Sequence, residues 1–341
     1  MKQPAKTDVA VLILFFNRPK ELGNLFEQIK LARPSKLYLY QDGPRNDSDL
    51  PRMEACRKLL DDEQIDWECE VHRNYQEVNR GCDPSEYLSQ KWAFSHEDKC
   101  IVLEDDNVPA LSFFPFCKEL LDRYAHDERI GMIAGMNYDE ETQGIPDDYF
   151  FTTTFSISGW ASWKRVVDKW DATYSFLDDK YNRQQLEALI KERKYQSDFI
   201  EFCEYHRSVG KAYYETIFHA AIFFHSQLCI VPRVNMISNA GATEDGVHLS
   251  GSNDDLPKAI RGIFTMQRHE LSFPLKHPRY VIENVGYKHR MFRIMGWGHP
   301  WLKIGRSIEE LFINLRKGNF KRIKEAMVNR MRKLCGKSKW D

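Results

Sequence analysis

The sequence lacks the short motifs that identify several large nucleotide-binding and hydrolytic families. No G-x-G-x-x-G follows the first apolar run and no G-x-x-x-x-G-K-[ST] occurs, so dinucleotide-binding and P-loop folds lose their main support. The nucleophile elbow G-x-S-x-G and the zinc-binding H-E-x-x-H are also absent. The chemistry of this chain therefore has to come from other patterns.

Paired cysteines and long apolar runs are lacking as well. None of the eight Cys forms a C-x-x-C pair, which favours reduced, structural thiols over disulfides or a zinc site. No apolar run reaches the roughly 18 residues needed to span a bilayer. The first eight residues, MKQPAKTD, contain no apolar signal core. We therefore expect a cytoplasmic protein.

Charge is nearly balanced over the whole chain but not along it. The net charge is −1, whereas residues 302–341 contain 12 Lys or Arg and four Asp or Glu, a net of +8. The remainder of the chain is then mildly acidic, with a net of −9. This asymmetry favours an anionic surface as the partner of the tail and argues against nucleic acid along the body.

What the sequence does contain is a regular alternation of predicted strands and helices. Apolar residues make up 42% of its 341 residues and aromatic residues 13%, enough for one large domain or two. The predicted strands cover residues 8–16, 36–41, 67–71, 100–103 and 130–135, and the predicted helices cover 20–32, 50–60, 84–95 and 111–124. Such alternation indicates βαβ units and an α/β fold with a mainly parallel central sheet.

The second half of the chain has a different pattern. Residues 107–109 are expected to turn the chain towards a helix, and the segment SGWASW at 158–163 is expected to lead into another. Further helices are predicted at 184–193, 198–209 and 215–224, followed by short extended pieces at 229–231 and 234–237.

Three carboxylates follow the predicted strand at 100–103. Glu104, Asp105 and Asp106 would lie at the carboxyl edge of the sheet, where open α/β folds bind ligands. Side by side they repel one another unless a cation bridges them, and Mg²⁺ and Mn²⁺ prefer carboxylate oxygens. The alternative for the triplet is a solvated acidic turn.

Two other predicted strands end in polar residues that would reach the same edge. Asn17 and Arg18 follow the first strand, and Asp42 follows the second. Arg18 can pair with phosphate oxygens and Asp42 can accept the imide N–H of a uracil, so the set suits a nucleoside diphosphate. The alternatives are a surface ion pair for Arg18 and a turn residue for Asp42.

Five segments of the sequence resemble those of a known family. FFNRP at 15–19, QDG at 41–43, VLEDD at 102–106, SGWASW at 158–163 and IVPRVNMISNAG at 230–241 with a later His are similar to the GT-A nucleotide-sugar glycosyltransferases. Within that group the chain resembles the N-acetylglucosaminyltransferase I type and its bacterial relatives. The resemblance extends from about residue 9 to residue 250 and implies a GT-A, Rossmann-like fold.

The resemblance also implies roles for individual residues. Asp106 and His248 would bind Mn²⁺ or Mg²⁺, and Glu104 and Asp105 would contact the ribose or hold the motif in place. Nucleotide-sugar contacts would come from Asn17, Arg18 and Asp42 and, beside the donor sugar, from Ser158, Gly159 and Trp160. Trp160 has the alternative of a core tryptophan.

Inverting members of the family need a carboxylate that removes the proton of the acceptor hydroxyl. The resemblance places this base at the start of a helix, where the sequence has Tyr214-Glu215 without the expected Asp. Glu215 is the only carboxylate between Glu204 and Glu244 and is the candidate base. Its alternative is a helix N-terminal Glu favoured by the macrodipole.

The sequence therefore predicts an inverting, divalent-metal-dependent glycosyltransferase. It would move a hexosyl or N-acetylhexosaminyl group from a nucleotide-sugar, most simply a UDP-sugar, to a glycan or lipid-linked glycan in polysaccharide biosynthesis. Two alternatives stay open. One is a nucleotidyltransferase that makes nucleotide-sugars, and the other is an inactive GT-A protein that binds glycans or nucleotides.

The predicted organisation has three parts. Residues 1–136 form the nucleotide-binding half of the GT-A domain, 137–300 its acceptor and catalytic half, and 301–341 a basic amphipathic helical tail. The tail contains two amphipathic patterns, at 302–316 and 319–334. It is expected to attach the protein peripherally to the anionic inner face of the cell membrane, the alternatives being a packing appendage or an oligomer contact.

Overall fold

The computed structural model describes residues 2–239, 256–320, 323–324 and 327–328. The strands in these residues are β1 (Thr7–Phe15), β2 (Pro34–Gln41), β3 (Glu70–Tyr75), β4 (Lys99–Glu104), β5 (Asn107–Pro109), β6 (Ile130–Ala134), β7 (Tyr149–Thr152), β8 (Trp160–Trp163), β9 (Leu228–Pro232) and β10 (Ile237–Asn239). The helices are α1 (Pro19–Ala32), α2 (Leu50–Leu59), α3 (Cys82–His96), α4 (Phe113–Arg123), α5 (Lys164–Val167), α6 (Lys180–Leu189), α7 (Arg193–Val209), α8 (Tyr214–Phe224), α9 (Lys258–Thr265), α10 (Val285–Met295) and α11 (Pro300–Arg316).

Eight of these strands form one central sheet. Their order is β3-β2-β1-β4-β8-β6-β9-β7, and β5 pairs with β10 in a separate two-stranded sheet. β1, β2, β3 and β4 are mutually parallel, as are β6 and β9, whereas β8 and β7 run antiparallel to their neighbours. The expected α/β architecture with a mainly parallel central sheet is therefore confirmed.

Burial of both sheet faces explains why the strands read as continuous apolar runs. In β1 most side chains are buried, including Val11, Leu12 and Ile13 with no exposed surface. Helix α1 covers the sheet with the predicted stripe, in which Leu22, Leu25, Phe26 and Ile29 are all buried. When helices cover both faces of a strand, none of its side chains faces solvent, so the strand is a continuous apolar run and not an alternation of apolar and polar residues.

Two segments that lead into helices α4 and α5, as expected, also form short strands that were not predicted, and the third predicted strand is displaced. Residues 107–109 form β5, which pairs antiparallel with β10. Residues 160–163 form β8, which lies between β4 and β6. The third predicted strand is displaced to Glu70–Tyr75, since Trp67 is a buried anchor whose Nε1 donates to the Pro34 carbonyl at 2.8 Å.

Helices of the C-terminal half pack against the far side of the sheet and one another. Phe218 on α8 packs against the indoles of Trp160 and Trp170. Helices α9 and α10 had no counterpart in the sequence prediction. Helix α11 contacts the body through polar groups, with Lys303 bonded to Asp198 at 3.2 Å. Most of the second tail pattern, 319–334, lies outside the described residues.

Two expectations about cysteines and membrane spans can be compared with the structure. All seven cysteines in the described part of the chain are free, as expected for reduced thiols. Among the helices that the structure describes, none combines the length and the hydrophobicity needed to cross a bilayer.

Gly43, in the Q-D-G segment, occupies a position where only glycine fits without displacement of the backbone. A Cβ on Gly43 would lie 2.4 Å from the backbone carbon of Val78, whereas a Cβ on Gly23 in α1 would meet only Leu59 Cδ1 at 3.9 Å.

We expect Gly43→Ala to reduce the free energy of unfolding by about 1–3 kcal/mol. The matched Gly23→Ala should increase it by about 0.5–1 kcal/mol, because alanine favours the helix. Urea denaturation measures both, and equal stability of the two variants would contradict the close approach.

Candidate active site

The carboxyl edge of the sheet brings together the polar residues that follow β1, β2 and β4. Leu14 of β1 is opposite Glu104 of β4, and Phe15 is opposite Gln41 of β2, so all three strands end at the same level. The loops that follow these strands therefore lie at one edge, as predicted for an open α/β sheet. They contain Asn17 and Arg18 after β1, Asp42 after β2, and Glu104 to Asp106 at the end of β4.

An ion pair joins the first of these loops to the acidic segment. Arg18 Nη2 donates to Asp105 Oδ1 and lies 3.2 Å from Asp106 Oδ2. The second oxygen of Asp105 accepts the backbone N–H of Phe16 at 3.3 Å. Burial raises the pKa of Asp105 to about 6, although Arg18 opposes the rise. Asp105 thus acts as the buried anchor of the loop.

Asp106 is the acidic residue best placed to bind a metal ion. Its Oδ1 accepts from the Asn107 amide at 2.7 Å and its Oδ2 faces Arg18, so each oxygen retains a second lone pair. Within the described residues, no three His, Cys, Asp or Glu side chains converge as a metal-binding group. A single carboxylate still fits Mg²⁺, because that ion often takes one or two carboxylates and completes its shell with phosphates and water.

Asp42 holds the loop beyond β3 in place. Its two oxygens each accept two hydrogen bonds of 2.9–3.0 Å, from the backbone N–H groups of Gly43, Arg80 and Gly81 and from the Asn79 side chain. A direct contact between this carboxylate and a nucleotide base would have to displace one of these donors. The sequence had not indicated this structural role.

Asn17 is likewise engaged within the protein. Its amide donates to Asp49 Oδ1 at 2.7 Å, and Asp49 is also paired with Arg45 at 2.7 Å. Arg45, with Asn17, lowers the pKa of Asp49 to about 2, so Asp49 remains an anion at neutral pH. This network fixes the backbone that leads into Arg18.

A second group of carboxylates lies on the other side of Glu104. Burial raises the pKa of Glu104 well above its usual range, and the charges of Asp106, Asp105 and Glu215 add to the effect. The same holds for Glu86, whose pKa is raised by burial and then by Glu104 and Glu215. The charge of Glu215 therefore acts on both Glu104 and Glu86, and the charge of Glu104 acts on Glu86 as well.

Glu86 is the residue of this group that sequence reasoning missed. It lies on α3 with only 4% of its surface exposed. The buried face of that helix also includes Ser85, Ser89 and Gln90, so it is polar instead of apolar. A polar stripe at helical spacing looks like a solvated face in the sequence, and only its repeat at i, i+4 could have drawn attention to it.

Glu215, the predicted general base, lies in the first turn of α8. Its side chain lines a cavity of about 650 Å³. Unlike Glu86 and Glu104, Glu215 is an exposed residue. It thus connects the carboxylates at the sheet edge with a volume large enough for a small ligand.

The cavity is lined mainly by aromatic residues of α7 and α8, by residues 155–157 and by the segment around Trp297. His219 also lines the cavity, and its ring nitrogens lie 3.1 and 3.3 Å from Tyr195 Oη. Burial lowers the pKa of His219 to about 3 and that of His206 to about 4. Both imidazoles are therefore neutral at pH 7.

Gly159 and Trp160 lie below the site, at the start of β8. Gly159 has φ +66°, and a Cβ there would lie 2.7 Å from Ile237 Cδ1. Trp160 has no exposed surface and packs against Phe94 and Phe218. The structure thus places the indole of Trp160 in the core, which was the alternative interpretation. His248, with Glu244 and Asp245, lies outside the described residues.

Comparisons with known proteins return similarity at the level of solved structures alone. No protein-family model matches the chain, and no curated protein is detectably similar to it. Mouse xyloside xylosyltransferase 1 aligns over 53% of this chain and 75% of its own, at 12% identity and a TM-score of 0.33.

Two bacterial structures are similar to the same degree. HddC from Yersinia pseudotuberculosis aligns over 48% of this chain and 80% of its own, at 12% identity and a TM-score of 0.31. A Bacillus anthracis protein described as a glucose-1-phosphate thymidylyltransferase aligns over 47% and 73%, at 11% identity and a TM-score of 0.28. At these TM-scores the similarity assigns neither a family nor an activity.

Proposed function

We propose that this chain is an inverting, divalent-metal-dependent glycosyltransferase of GT-A type that uses a nucleotide-sugar, most simply a UDP-sugar. The observation that carries the proposal is the position of Glu215. Its charge raises the pKa of Glu104 at the sheet edge, and its side chain lines the cavity of about 650 Å³. A base between a nucleotide-diphosphate site and an acceptor site is what direct displacement at an anomeric carbon requires.

The donor would bind at the carboxyl edge of the sheet. Both contacts of Arg18 with Asp105 and Asp106 use Nη2, which leaves the Nη1 and Nε donors of the guanidinium for phosphate oxygens. Asp106 would hold Mg²⁺ or Mn²⁺. That ion, when bound, supplies positive charge to the diphosphate as it departs.

The reaction requires one proton transfer and one displacement. The acceptor hydroxyl donates its proton to a carboxylate oxygen of Glu215 while the hydroxyl oxygen attacks the anomeric carbon. The bond between that carbon and the diphosphate oxygen breaks, and the diphosphate leaves with the electron pair. Arg18 stabilises its charge, and attack from the opposite face inverts the anomeric configuration.

A nucleotide-sugar-forming nucleotidyltransferase is the enzyme alternative. That chemistry calls for a glycine-rich loop bearing Arg or Lys after the first strand. Here residues 16–18 connect β1 directly to α1, which begins at Pro19, and no glycine is among them. A base beside an acceptor cavity also has no role in that reaction, so we favour glycosyl transfer.

The tail supports a peripheral membrane partner for the proposed enzyme. Along α11 one stripe of apolar side chains remains 46–81% exposed: Trp301, Ile304, Ile308, Phe312 and Leu315. Basic side chains of the same segment are Lys303, Arg306, Arg316 and Lys317. An exposed apolar stripe with flanking cations fits an anionic membrane interface, where a lipid-linked acceptor would be found.

The metal and the donor can be tested together by thermal shift. UDP should stabilise the wild-type protein more strongly with Mn²⁺ than without, because Asp106 would hold the ion and the ion would offset the charge of the diphosphate. Asp106→Asn removes a charged ligand and should abolish the Mn²⁺-dependent part of this stabilisation. The exposed Asp61→Asn serves as the matched control and should behave like wild type. An unchanged Mn²⁺ effect in Asp106→Asn would exclude this residue as the ligand.

The base can be tested by a substitution that preserves shape. Glu215→Gln cannot accept a proton, so we expect kcat to fall by at least about 100-fold while stabilisation by UDP and Mn²⁺ is retained. The exposed Glu201→Gln on α7 is the matched control and should retain wild-type kcat. If Glu215→Gln stays within a few-fold of wild type, another carboxylate is the base, with Glu244 or Asp245 next to be examined.

Membrane attachment can be tested by sedimentation with vesicles. The full-length protein should sediment with phosphatidylserine-containing vesicles at low salt and not with neutral ones, since each basic residue near an anionic surface contributes about 1 kcal/mol. Ile308→Glu with Phe312→Glu should abolish sedimentation by placing charge on the apolar stripe. Leu189→Glu, on an exposed apolar residue of α6, is the control. If the wild-type protein does not sediment with anionic vesicles, the tail is a structural element and not a membrane anchor.

A further inference from the structure

The cavity beside Glu215 has walls that are ordered by contacts between their own rings. Tyr195 stacks on Trp297 with ring centroids 5.1 Å apart, and His206 stacks on Tyr213 at 3.7 Å. Phe202, on the same face of α7, remains 49% exposed at the cavity. Rings that are already held in place lose little conformational freedom when a ligand packs against them.

Polar groups alternate with these rings. Tyr195 Oη lies 3.1 Å from His219 Nδ1, and His206 Nδ1 lies 2.8 Å from Thr216 Oγ1. These pairs leave further donor and acceptor positions on the hydroxyl and imidazole groups, and a hydrocarbon chain in the cavity would exclude water from those positions without replacing its hydrogen bonds, which is costly. The lining therefore suits a ligand with both apolar faces and hydroxyl groups.

The charges around the cavity further restrict which ligands can bind. Asp83 and Glu215 line it with negative charge. Its lysine, Lys303, is bonded to Asp198 at 3.2 Å, and that carboxylate is paired with Lys194 as well. Both histidines are neutral at pH 7 because burial lowers the pKa of each. An anionic ligand would thus meet repulsion, and the one lysine among the described residues that line the cavity is already paired.

We infer that the cavity is a subsite for an uncharged pyranoside, whose C–H face packs on the aromatic rings while its hydroxyls bond to the Tyr and His groups. The inference rests on the proposed function in that the pyranoside would be the acceptor whose hydroxyl reaches Glu215. Its volume of about 650 Å³ lies within the roughly 300–1,000 Å³ of small-molecule sites. A uronic acid or a phosphosugar ring at this position is disfavoured.

Saturation-transfer NMR on the full-length protein tests the subsite without any reaction. The probes are methyl β-D-glucopyranoside and methyl N-acetyl-β-D-glucosaminide, methyl β-D-glucuronide as the charged analogue, and n-hexanol as the apolar one. We expect both uncharged pyranosides to receive saturation at their ring protons and the glucuronide to bind at least about tenfold more weakly, since one uncompensated charge costs over 1 kcal/mol. Hexanol should not compete with the pyranosides.

Phe202→Leu and Tyr181→Leu form the matched pair of variants. Phe202→Leu keeps an apolar side chain at the cavity but removes the ring, so pyranoside affinity should fall about three- to tenfold. Tyr181 is an exposed ring on α6 outside the cavity, with 68% of its surface accessible, and its replacement should change nothing. Equal pyranoside affinity in wild type and Phe202→Leu would overturn the subsite, as would tighter binding of the glucuronide or displacement by hexanol.

Failure of the subsite and failure of the proposed function give different results. If UDP with Mn²⁺ stabilises the protein but no uncharged pyranoside binds, the subsite is wrong and glycosyl transfer stands. If pyranosides bind with the expected selectivity but no nucleotide or nucleotide-sugar stabilises the protein, the subsite stands and the proposed enzyme does not. The two measurements use the same protein preparation, so they can be compared directly.

Discussion

The contact between Arg18 and the acidic segment is the interaction on which the candidate site depends. It joins the loop after β1 to the loop after β4, and so sets the position of Asp106 as well as of Asp105. Asp105 is 2% exposed, so loss of the guanidinium would leave a buried carboxylate without its partner, a costly arrangement. The raised pKa of Asp105 records that cost even with Arg18 present. The site is thus organised around one cation shared by two anions.

Much of the fold could be predicted because its strongest signals are local. β1 is a continuous apolar run and α1 a clean amphipathic stripe, and each pattern has one simple structural solution. β5 and β8 could not be predicted in this way. β5 is a strand because it pairs with β10, and β8 is a strand because it lies between β4 and β6. Pairing between segments that are separated along the chain leaves no mark on the local pattern.

The candidate site was predictable where topology alone decides the outcome. Polar residues at the ends of parallel strands meet at one edge, and this placed Arg18, Asp42 and Asp106 together. What each residue does there depends on contacts that a sequence does not reveal. Asp42 accepts four hydrogen bonds, three from the loop at 79–81 and one from the next residue in the chain, and Glu86 reaches the site from a helix face that looks solvated in the sequence.

Charge balance then constrains how the proposed donor can bind. Arg18 pairs with Asp105 and Asp106 and opposes the pKa rise of Glu104, whereas burial together with mutual repulsion raises the pKa of both Glu104 and Glu86. A nucleoside diphosphate would add further negative charge to this edge. Because Arg18 is already shared between two carboxylates, it cannot neutralise the diphosphate alone. A divalent cation at Asp106, as proposed, would supply the missing positive charge and would also support departure of the leaving group.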